Sequence, residues 1–325
     1  AEIVEGGTIY LTICTAFSFG SFFQITTERL LQATGKTFYT MITQGLGAII
    51  NIIFDPILIF GLLGFPKMGI AGAAAATVFG QIVAAALGII INMKKNKEIH
   101  ISMKGFRPDG TIIKHIYLVG VPSIIMAAIG SVMTFAMNKI LIAFSTTATA
   151  VFGVYFKLQS FVFMPLFGIN NGMVPIVAYN YGAKKPARIM KTLKLSIIYA
   201  VGIMVIGFIV FELFAKQLLM IFSASDNMLA IGIPALRIIG IHFLVAGFSV
   251  IASSMFQALS HGFYSLWVSL VRQLIVLLPA AYLLSLTGNL DNVWWSFPIA
   301  EVVSAVMCVV FLKMTYNKDI KPLEE

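Results

Sequence analysis

An aspartate followed by a proline interrupts one of the most apolar runs of the chain, NIIFDPILIF, which spans Asn51–Phe60. Asp55 follows Asn51 by four residues, so in a helix both side chains lie on one face. Pro56 has no N–H group, and the carbonyl of Ile52 therefore loses its helical partner. The segment supplies a carboxylate, an amide oxygen and a free carbonyl. Such hard oxygen ligands suit a small cation, or a hydrogen-bond network that takes up a proton.

The composition explains why a carboxylate in this run matters. Of the 325 residues, 59% are hydrophobic and only 11% are charged, whereas soluble domains carry roughly 25% charged residues. We therefore predict an all-α polytopic membrane protein. A carboxylate inside a spanning helix costs at least roughly 2.5–3.5 kcal/mol on insertion scales, so it needs a partner or a function. The alternative interpretation is that Asp55 and Asn51 only form hydrogen bonds between helices.

Nine segments are apolar enough to span a bilayer, for which about 20 residues are needed. They cover residues 8–27, 38–62, 71–92, 121–144, 149–178, 193–214, 230–259, 263–286 and 293–314. The connections between them are short except for one polar, basic segment. We therefore predict three regions: 1–93 with three spans, a linker over 94–120, and 121–325 with six spans.

The positions of the basic residues predict the orientation. Nearly all Lys and Arg outside the spans lie on the side of the linker, and the opposite connections contain only Lys67 and Lys216. Since basic loops stay in the cytoplasm, we expect a multi-pass protein of the plasma membrane with a cytoplasmic linker and C-terminus. The net charge of +9 then reflects topology, and no nucleic-acid partner is expected. Nine spans place Ala1 outside, which predicts that the chain is the rear part of a longer protein.

The chain also contains an internal repeat. The string LLQATGKTFYTM resembles FQALSHGFYSL, and one shift superposes Gln32 on Gln257 and FYT on FYS. A looser match sets Gly80–Gln81 against Ala300–Glu301. The first three spans are therefore the counterpart of the last three, unless the match between short apolar strings is accidental. Repeated bundles are typical of transporters.

Several strings, taken together and in order, resemble one known family. FKLQSFVFMPLFGINNGMVPIVAYNYGAKKPAR and LVRQLIVLLP resemble the eighth and eleventh helices of multidrug and toxic compound extrusion transporters, and ERLLQATGK, NIIFDPILIFG and GIAGAAAATVFGQ resemble the fourth to sixth. Such proteins have twelve helices in two six-helix lobes, the two-lobed antiporter fold. The resemblance implies that 1–93 holds the family's helices four to six and 121–325 its helices seven to twelve. Helices one to three are then missing from this sequence.

The resemblance implies secondary active efflux of amphipathic, often cationic compounds by alternating access, in exchange for protons or sodium ions. No motif chooses between the two ions, no other cofactor is implied, and the full-length protein is expected to be a monomer. One alternative is a flippase for lipid-linked sugars of the same superfamily. Such proteins usually line their cavity with several basic residues, for which only Lys157, Arg237 and Arg272 qualify here. An intramembrane enzyme would need paired Asp or a zinc motif, and the sequence has neither.

The resemblance also implies a cation site in the first lobe. Asp55 and Asn51 have the family's spacing, and Thr77 in AAAAT matches a threonine of that site. Glu28 and Gln24 lie near the site's polar residue on the family's fourth helix, with Gln24 closer in depth to Asn51. A sodium ion at Asp55 and Asn51 is the only metal expected.

The second copy of the repeat lacks these groups, because Val276 and Ala280 correspond to Asn51 and Asp55. The fold therefore does not require them. Helix-breaking residues within spans are expected to act as hinges for alternating access, namely Pro56, Pro165, Gly172 and Pro175.

Polar residues within the later spans are the candidates for a substrate cavity. They are Tyr155, Lys157, Gln159 and Glu301. Glu301 is the only acidic residue of the last span, and its alternative role is an ion pair with Arg272 or Lys157.

Overall fold

The computed structural model describes residues 2–99, 102, 105 and 107–323. The chain divides into two compact units, Ala1–Arg107 and Pro108–Glu325, which we call the first and second unit. Every regular element within the described residues is helical, as predicted for an all-α protein. The first unit contains α1 (Glu2–Ala16), α2 (Phe19–Ala33), α3 (Thr37–Phe60) and α4 (Ile70–Lys95).

The second unit begins with three helices that are longer than those of the first unit and continues with shorter ones. Its helices are α5 (Gly110–Ile142), α6 (Thr146–Gly182), α7 (Pro186–Met220), α8 (Asp226–Gly240), α9 (Phe243–Ala258), α10 (Gly262–Leu270), a π-helical segment (Val271–Leu277), α11 (Leu278–Ser285), α12 (Leu290–Trp294) and α13 (Ser296–Thr315). A second π-helical segment (Tyr316–Ile320) and a 3₁₀ turn (Lys321–Leu323) follow α13.

The helices on either side of the predicted linker are longer than the sequence indicated. Helix α4 continues to Lys95 and α5 already begins at Gly110. The carboxylate of Asp109 accepts a hydrogen bond of 2.7 Å from the backbone N–H of Thr111, which satisfies one of the free donors at the helix start. The stretch between the two helices is therefore shorter than the predicted linker, residues 94–120, and the boundary between the units lies within this stretch.

Membrane spans in the described part of the chain agree with the prediction in number. Seven helices are long and apolar enough to cross a membrane, and the number is nine if each of two bent helix pairs is one span. The pairs are α1 with α2 and α8 with α9, each bent by 51°. The shift that superposes Gln32 on Gln257 also carries Phe17, in the first bend, onto His242, in the second. The two copies of the repeat thus bend at equivalent positions.

The bends do not coincide with the residues predicted as hinges. Helix α3 is uninterrupted at Pro56, and α6 is uninterrupted at Pro165, Gly172 and Pro175. Proline within a spanning helix is tolerated when neighbouring groups satisfy the freed backbone. A hinge function of these residues during transport stays a prediction.

Glycine residues allow α3 and α4 to pack closely. A Cβ atom on Gly80 would lie 2.8 Å from the carbonyl oxygen of Gly47, and one on Gly72 would lie 2.5 Å from the carbonyl oxygen of Leu58. Small residues at such positions let helix backbones approach each other in membranes. The contact fixes the separation of the two helices that carry Asn51 and Thr77.

The core of the second unit is rich in aromatic residues. Phe152, Tyr155, Phe211, Phe243 and Trp294 are all fully buried. The ring centroids of Phe211 and Phe243 are 4.9 Å apart at an interplanar angle of 67°, an edge-to-face geometry that stabilises aromatic pairs. This cluster joins α6, α7, α9 and α12.

We predict that Gly80→Val destabilises the chain by about 1–3 kcal/mol, because the added atoms would clash with the backbone of α3. Gly202→Val is the matched control, since Gly202 is an exposed helical glycine of α7 with no atom near its Cβ position. Thermal unfolding of the purified chain in detergent measures the difference. Equal unfolding temperatures of the two variants would contradict the close α3–α4 contact.

Candidate functional site

Three of the residues predicted for cation coupling, Gln24, Asn51 and Thr77, line a cavity of about 230 Å³ formed by α2, α3 and α4. The other two, Glu28 and Asp55, are hydrogen-bonded to lining residues. Five polar side chains and three small residues form the cavity wall. The lining residues are Gln24, Gln44, Gly47, Ala48, Asn51, Thr77, Gly80 and Gln81. The cavity is therefore polar although its helices are apolar overall.

Asn51 connects the predicted site residues of α3 and α4. Its Nδ2 atom donates to Oδ1 of Asp55 at 3.3 Å and to Oγ1 of Thr77 at 3.2 Å. The Thr77 hydroxyl in turn donates to the carbonyl of Ala73 at 3.0 Å. All three side chains are partly buried. The structure thus brings Asp55, Asn51 and Thr77 together, as their spacing and the resemblance predict.

The depth of Asp55 differs from that of Asn51. Asp55 lies five residues before the end of α3 at Phe60, which corresponds to about 7.5 Å along the helix axis. Asn51 lies nine residues before that end, or about 13.5 Å. The Asp55 carboxylate is therefore closer to the C-terminal end of α3, at Phe60, than to the middle of the helix.

Glu28 is the centre of a second polar group. Its carboxylate is buried, with 5% of the residue exposed. Oε1 accepts hydrogen bonds from Gln24 Nε2 at 3.0 Å and Thr43 Oγ1 at 3.4 Å, and Oε2 accepts one from Gln44 Nε2 at 2.8 Å. In the part of the chain that the structure describes, no Lys, Arg or His forms a salt bridge with it. The donors that contact this carboxylate within the described residues are all neutral.

The cavity lies between the two polar groups. Gln24 and Gln44 belong to the Glu28 group, Asn51 and Thr77 belong to the Asp55 group, and all four line the cavity. Amide and hydroxyl oxygens with a carboxylate at each side suit a hard monovalent cation or a proton. No cluster of three His, Cys, Asp or Glu that could hold a metal occurs among the described residues, so the donor set does not fit a transition metal.

Sequence reasoning missed Thr43, Gln44 and Gln81. The signal for Gln44 is its spacing of seven residues from Asn51, because residues seven apart share a helix face. Gln81 likewise follows Thr77 by four residues on α4. Polar residues at helical spacing from a known site residue would have identified both.

The four residues predicted for a substrate cavity have different surroundings. Tyr155 is fully buried in the aromatic core, and Glu301 is 2% exposed and pairs with Arg272. Both are too deeply buried to line an open cavity. Lys157 is exposed, with its Nζ atom 5.8 Å from the ring centroid of Phe222, and Gln159 is partly buried. The ion pair of Glu301, considered above as its alternative role, is the one found.

A different cleft of the second unit, of about 610 Å³, has a polar wall. Uncharged polar side chains and two phenylalanines contribute most of it, namely Ser131, Thr134, Asn138, Gln273, Phe135 and Phe156. Three of the polar residues are spaced by three and four on α5, a pattern that indicates one helix face.

Comparisons with known proteins agree with this architecture. The family model described as MatE matches residues 122–283. The chain is 27% identical over 291 residues to the multidrug export protein MepA of Staphylococcus haemolyticus, covering 90% of this chain and 63% of that protein. It is 28% identical over 296 residues to MepA of Staphylococcus saprophyticus, covering 90% and 64%. The chain therefore spans less than two thirds of the length of these relatives.

Solved structures show the same fold over the whole chain. One, described as an outward-facing conformation of a multidrug resistance MATE family transporter of the MOP superfamily, is 26% identical with a TM-score of 0.89 and covers 100% of this chain and 71% of its own. Another, a MOP superfamily transporter from Pyrococcus furiosus whose binding pocket is described as having reverse polarity, is 25% identical with a TM-score of 0.91, covering 100% and 72%.

We predict that Gln44→Ala destabilises the chain by about 1–3 kcal/mol, because one oxygen of the buried Glu28 carboxylate loses its donor. Gln217→Ala serves as the control, since Gln217 is an exposed residue of α7. Chemical unfolding of the purified variants measures both changes. A Gln44→Ala variant as stable as Gln217→Ala would show that the Glu28 group contributes nothing to stability.

Proposed function

The chain belongs to the multidrug and toxic compound extrusion family of membrane transporters, and from this premise we propose that it exports amphipathic, often cationic compounds in exchange for protons or sodium ions. Members of the family are transporters and not enzymes. The names of the staphylococcal relatives support small-molecule cargo. We further propose a plasma-membrane location, a cytoplasmic linker and C-terminus, and a monomeric full-length protein.

The observation that carries the proposal is the hydrogen-bonded group of Asp55, Asn51 and Thr77 beside a polar cavity. An ionisable residue inside a spanning helix is costly and marks an ion or proton path by default. Asp55 and Thr77 lie on different helices that Asn51 joins. A ligand that changes these bonds therefore acts directly on the α3–α4 contact.

Coupling follows from competition for the Asp55 carboxylate. Without a cation, the Asn51 amide N–H satisfies one carboxylate oxygen. A bound sodium ion would accept the amide oxygen of Asn51 and the Thr77 hydroxyl as ligands, and a proton would neutralise Asp55 and weaken its bond to Asn51. Either event favours a different arrangement of α3 and α4. A cation that prefers one arrangement shifts the equilibrium toward it, which is what exchange transport requires.

Glu28 and Gln24 are proposed as the other members of the coupling site. The buried Glu28 carboxylate touches the cavity through Gln24 and Gln44. A cation that enters the cavity meets side chains that are hydrogen-bonded to the carboxylates of Glu28 and Asp55. A sodium ion requires that the side-chain oxygens around the cavity form a full coordination shell, whereas a proton requires only one carboxylate.

The polarity of the cavity argues against the flippase alternative. Among the described residues, no Lys or Arg lines the cavity of the first unit, whereas a pyrophosphate group requires positive partners. A lipid-flipping assay beside a drug-efflux assay separates the two activities.

We predict that Asp55→Asn loses at least about tenfold in exchange rate, because hydrogen bonds and ligand contacts to a charged group are worth about 1.5–3 kcal/mol. The measurement is gradient-driven movement of a fluorescent lipophilic cation in vesicles that contain the chain, under either a pH or a sodium gradient. The gradient that drives exchange identifies the ion.

Asp226→Asn is the control for this prediction, because Asp226 is an exposed acidic residue at the start of α8. It should keep the rate of the unsubstituted chain. Undiminished exchange in Asp55→Asn at equal membrane insertion would refute the proposed coupling site.

A further inference from the structure

A buried ion pair lies within the spans of the second unit. Arg272 Nη1 donates to Glu301 Oε2 at 3.1 Å, and only 3% of the Glu301 side chain is exposed, against 30% for Arg272. A buried ion pair is costly unless the remaining lone pairs of the carboxylate are also satisfied. The fold of the second unit therefore has to offset the desolvation cost of this ion pair with other interactions.

The second oxygen of this carboxylate lacks a donor. Within the part of the chain that the structure describes, neither Glu301 Oε1 nor the hydroxyl of Tyr155 has a hydrogen-bond partner, although both are buried. The Tyr155 ring centroid lies 5.8 Å from that of Phe297, which precedes Glu301 by four residues and shares its face of α13. Two unsatisfied oxygens thus lie near one helix face, an exception that needs a physical explanation.

The internal repeat relates this pair to the cavity of the first unit. The shift that superposes Gln32 on Gln257 carries Gly47 onto Arg272, and the looser match sets Gln81 against Glu301. Gly47 and Gln81 both line the cavity beside Asp55. In the second unit, the Glu301 carboxylate and the Arg272 guanidinium are thus at positions that correspond to cavity-lining residues of the first unit. The positive charge of the Arg272 side chain thus lies at the position that corresponds to the cation cavity proposed for the first unit.

The backbone around Arg272 departs from regular α-helix. Arg272 lies in the π-helical segment Val271–Leu277, and such wide turns within helices occur frequently at functional sites. Conversion of one π turn to α-helix changes the register by one residue, a rotation of about 100°. Arg272 can therefore turn away from Glu301 toward its exposed side without interrupting the span.

We propose that Glu301 is a second proton-binding site of this chain, whose occupancy decides whether Arg272 stays paired. A proton from water binds to Oε1, and the neutral carboxyl group can then donate to a buried oxygen such as the Tyr155 hydroxyl. Because the protonated Glu301 is neutral, Arg272 can move away from it without leaving an unpaired buried carboxylate. Loss of the proton restores the ion pair. Only an O–H bond forms or breaks.

Other charged or titratable groups near Glu301 come from each neighbouring element. Arg272 faces it from the π-helical segment, Tyr155 from α6, His242 from the bend between α8 and α9, and Cys308 lies two turns further along α13. His242 is held by the carbonyl of Ile239 at 2.6 Å from Nδ1. Glu301 is the one carboxylate among these named residues. Proton binding at Glu301 does not depend on the proposed transport function; only a use of that proton in transport rests on it.

Infrared difference spectra of the purified chain between about pH 8 and about pH 5 test the proposal. We expect a carbonyl band of a protonated carboxyl group that is lost in Glu301→Gln and kept in Asp55→Asn. A spectrum of folded Glu301→Gln that retains the whole band, or the absence of any such band in the unsubstituted chain, would overturn the proposal. The Asp55→Asn exchange assay can fail while this band persists, so the two proposals are separable.

A second pair of variants covers the case in which Glu301→Gln does not fold. Tyr155→Phe keeps the ring and removes only the hydroxyl, so the band should shift in frequency when the acceptor is lost. Tyr282→Phe is the control, because Tyr282 is exposed and should leave the band unchanged. An unshifted band in Tyr155→Phe would contradict the arrangement. A purely structural ion pair would give no component of the band that depends on Glu301 or on the Tyr155 hydroxyl.

Discussion

The hydrogen bonds of the Asn51 amide are the interaction on which the rest of this account depends. Inside a bilayer every polar group must find its partner within the protein. Asn51 satisfies Asp55 on its own helix and Thr77 on the neighbouring one. The contact is possible only because glycines let α3 and α4 approach closely. The hydrogen bond to the Asp55 carboxylate, the interhelical bond between Asn51 and Thr77 and the polar cavity therefore all depend on the same packing of α3 against α4.

The two copies of the repeat share their backbone and differ in their polar groups. Both have a bent span at the equivalent position, yet Val276 and Ala280 replace the pair that forms the site in the first unit. The second unit instead contains Arg272 and Glu301 at positions that line the cavity of the first. The common fold is thus maintained by apolar packing, and the polar residues can diverge according to what each unit binds.

Features with a local cause could be predicted from the sequence, and features with a tertiary cause could not. The meeting of Asn51 with Asp55 follows from helical spacing alone, and the spans follow from hydropathy. Two of the three donors to Glu28, Thr43 and Gln44, come from a second helix, so no local pattern names all of them. The bends near Phe17 and His242 have no proline to announce them, whereas α3 continues through Pro56 because its neighbours hold it. A π-helical segment likewise has no residue signature.

The central claim is that water and ions reach the polar face of α3. The most direct test is the reactivity of Asn51→Cys toward a membrane-impermeant thiol reagent, in a chain whose Cys14 and Cys308 have been replaced. Only a thiolate reacts, and a thiolate forms only where water is present. Ile53→Cys, at similar depth with an exposed apolar side chain, is the reference. The account predicts that position 51 reacts and position 53 does not; an unreactive position 51 would place the site in a dry helix contact and contradict ion coupling there.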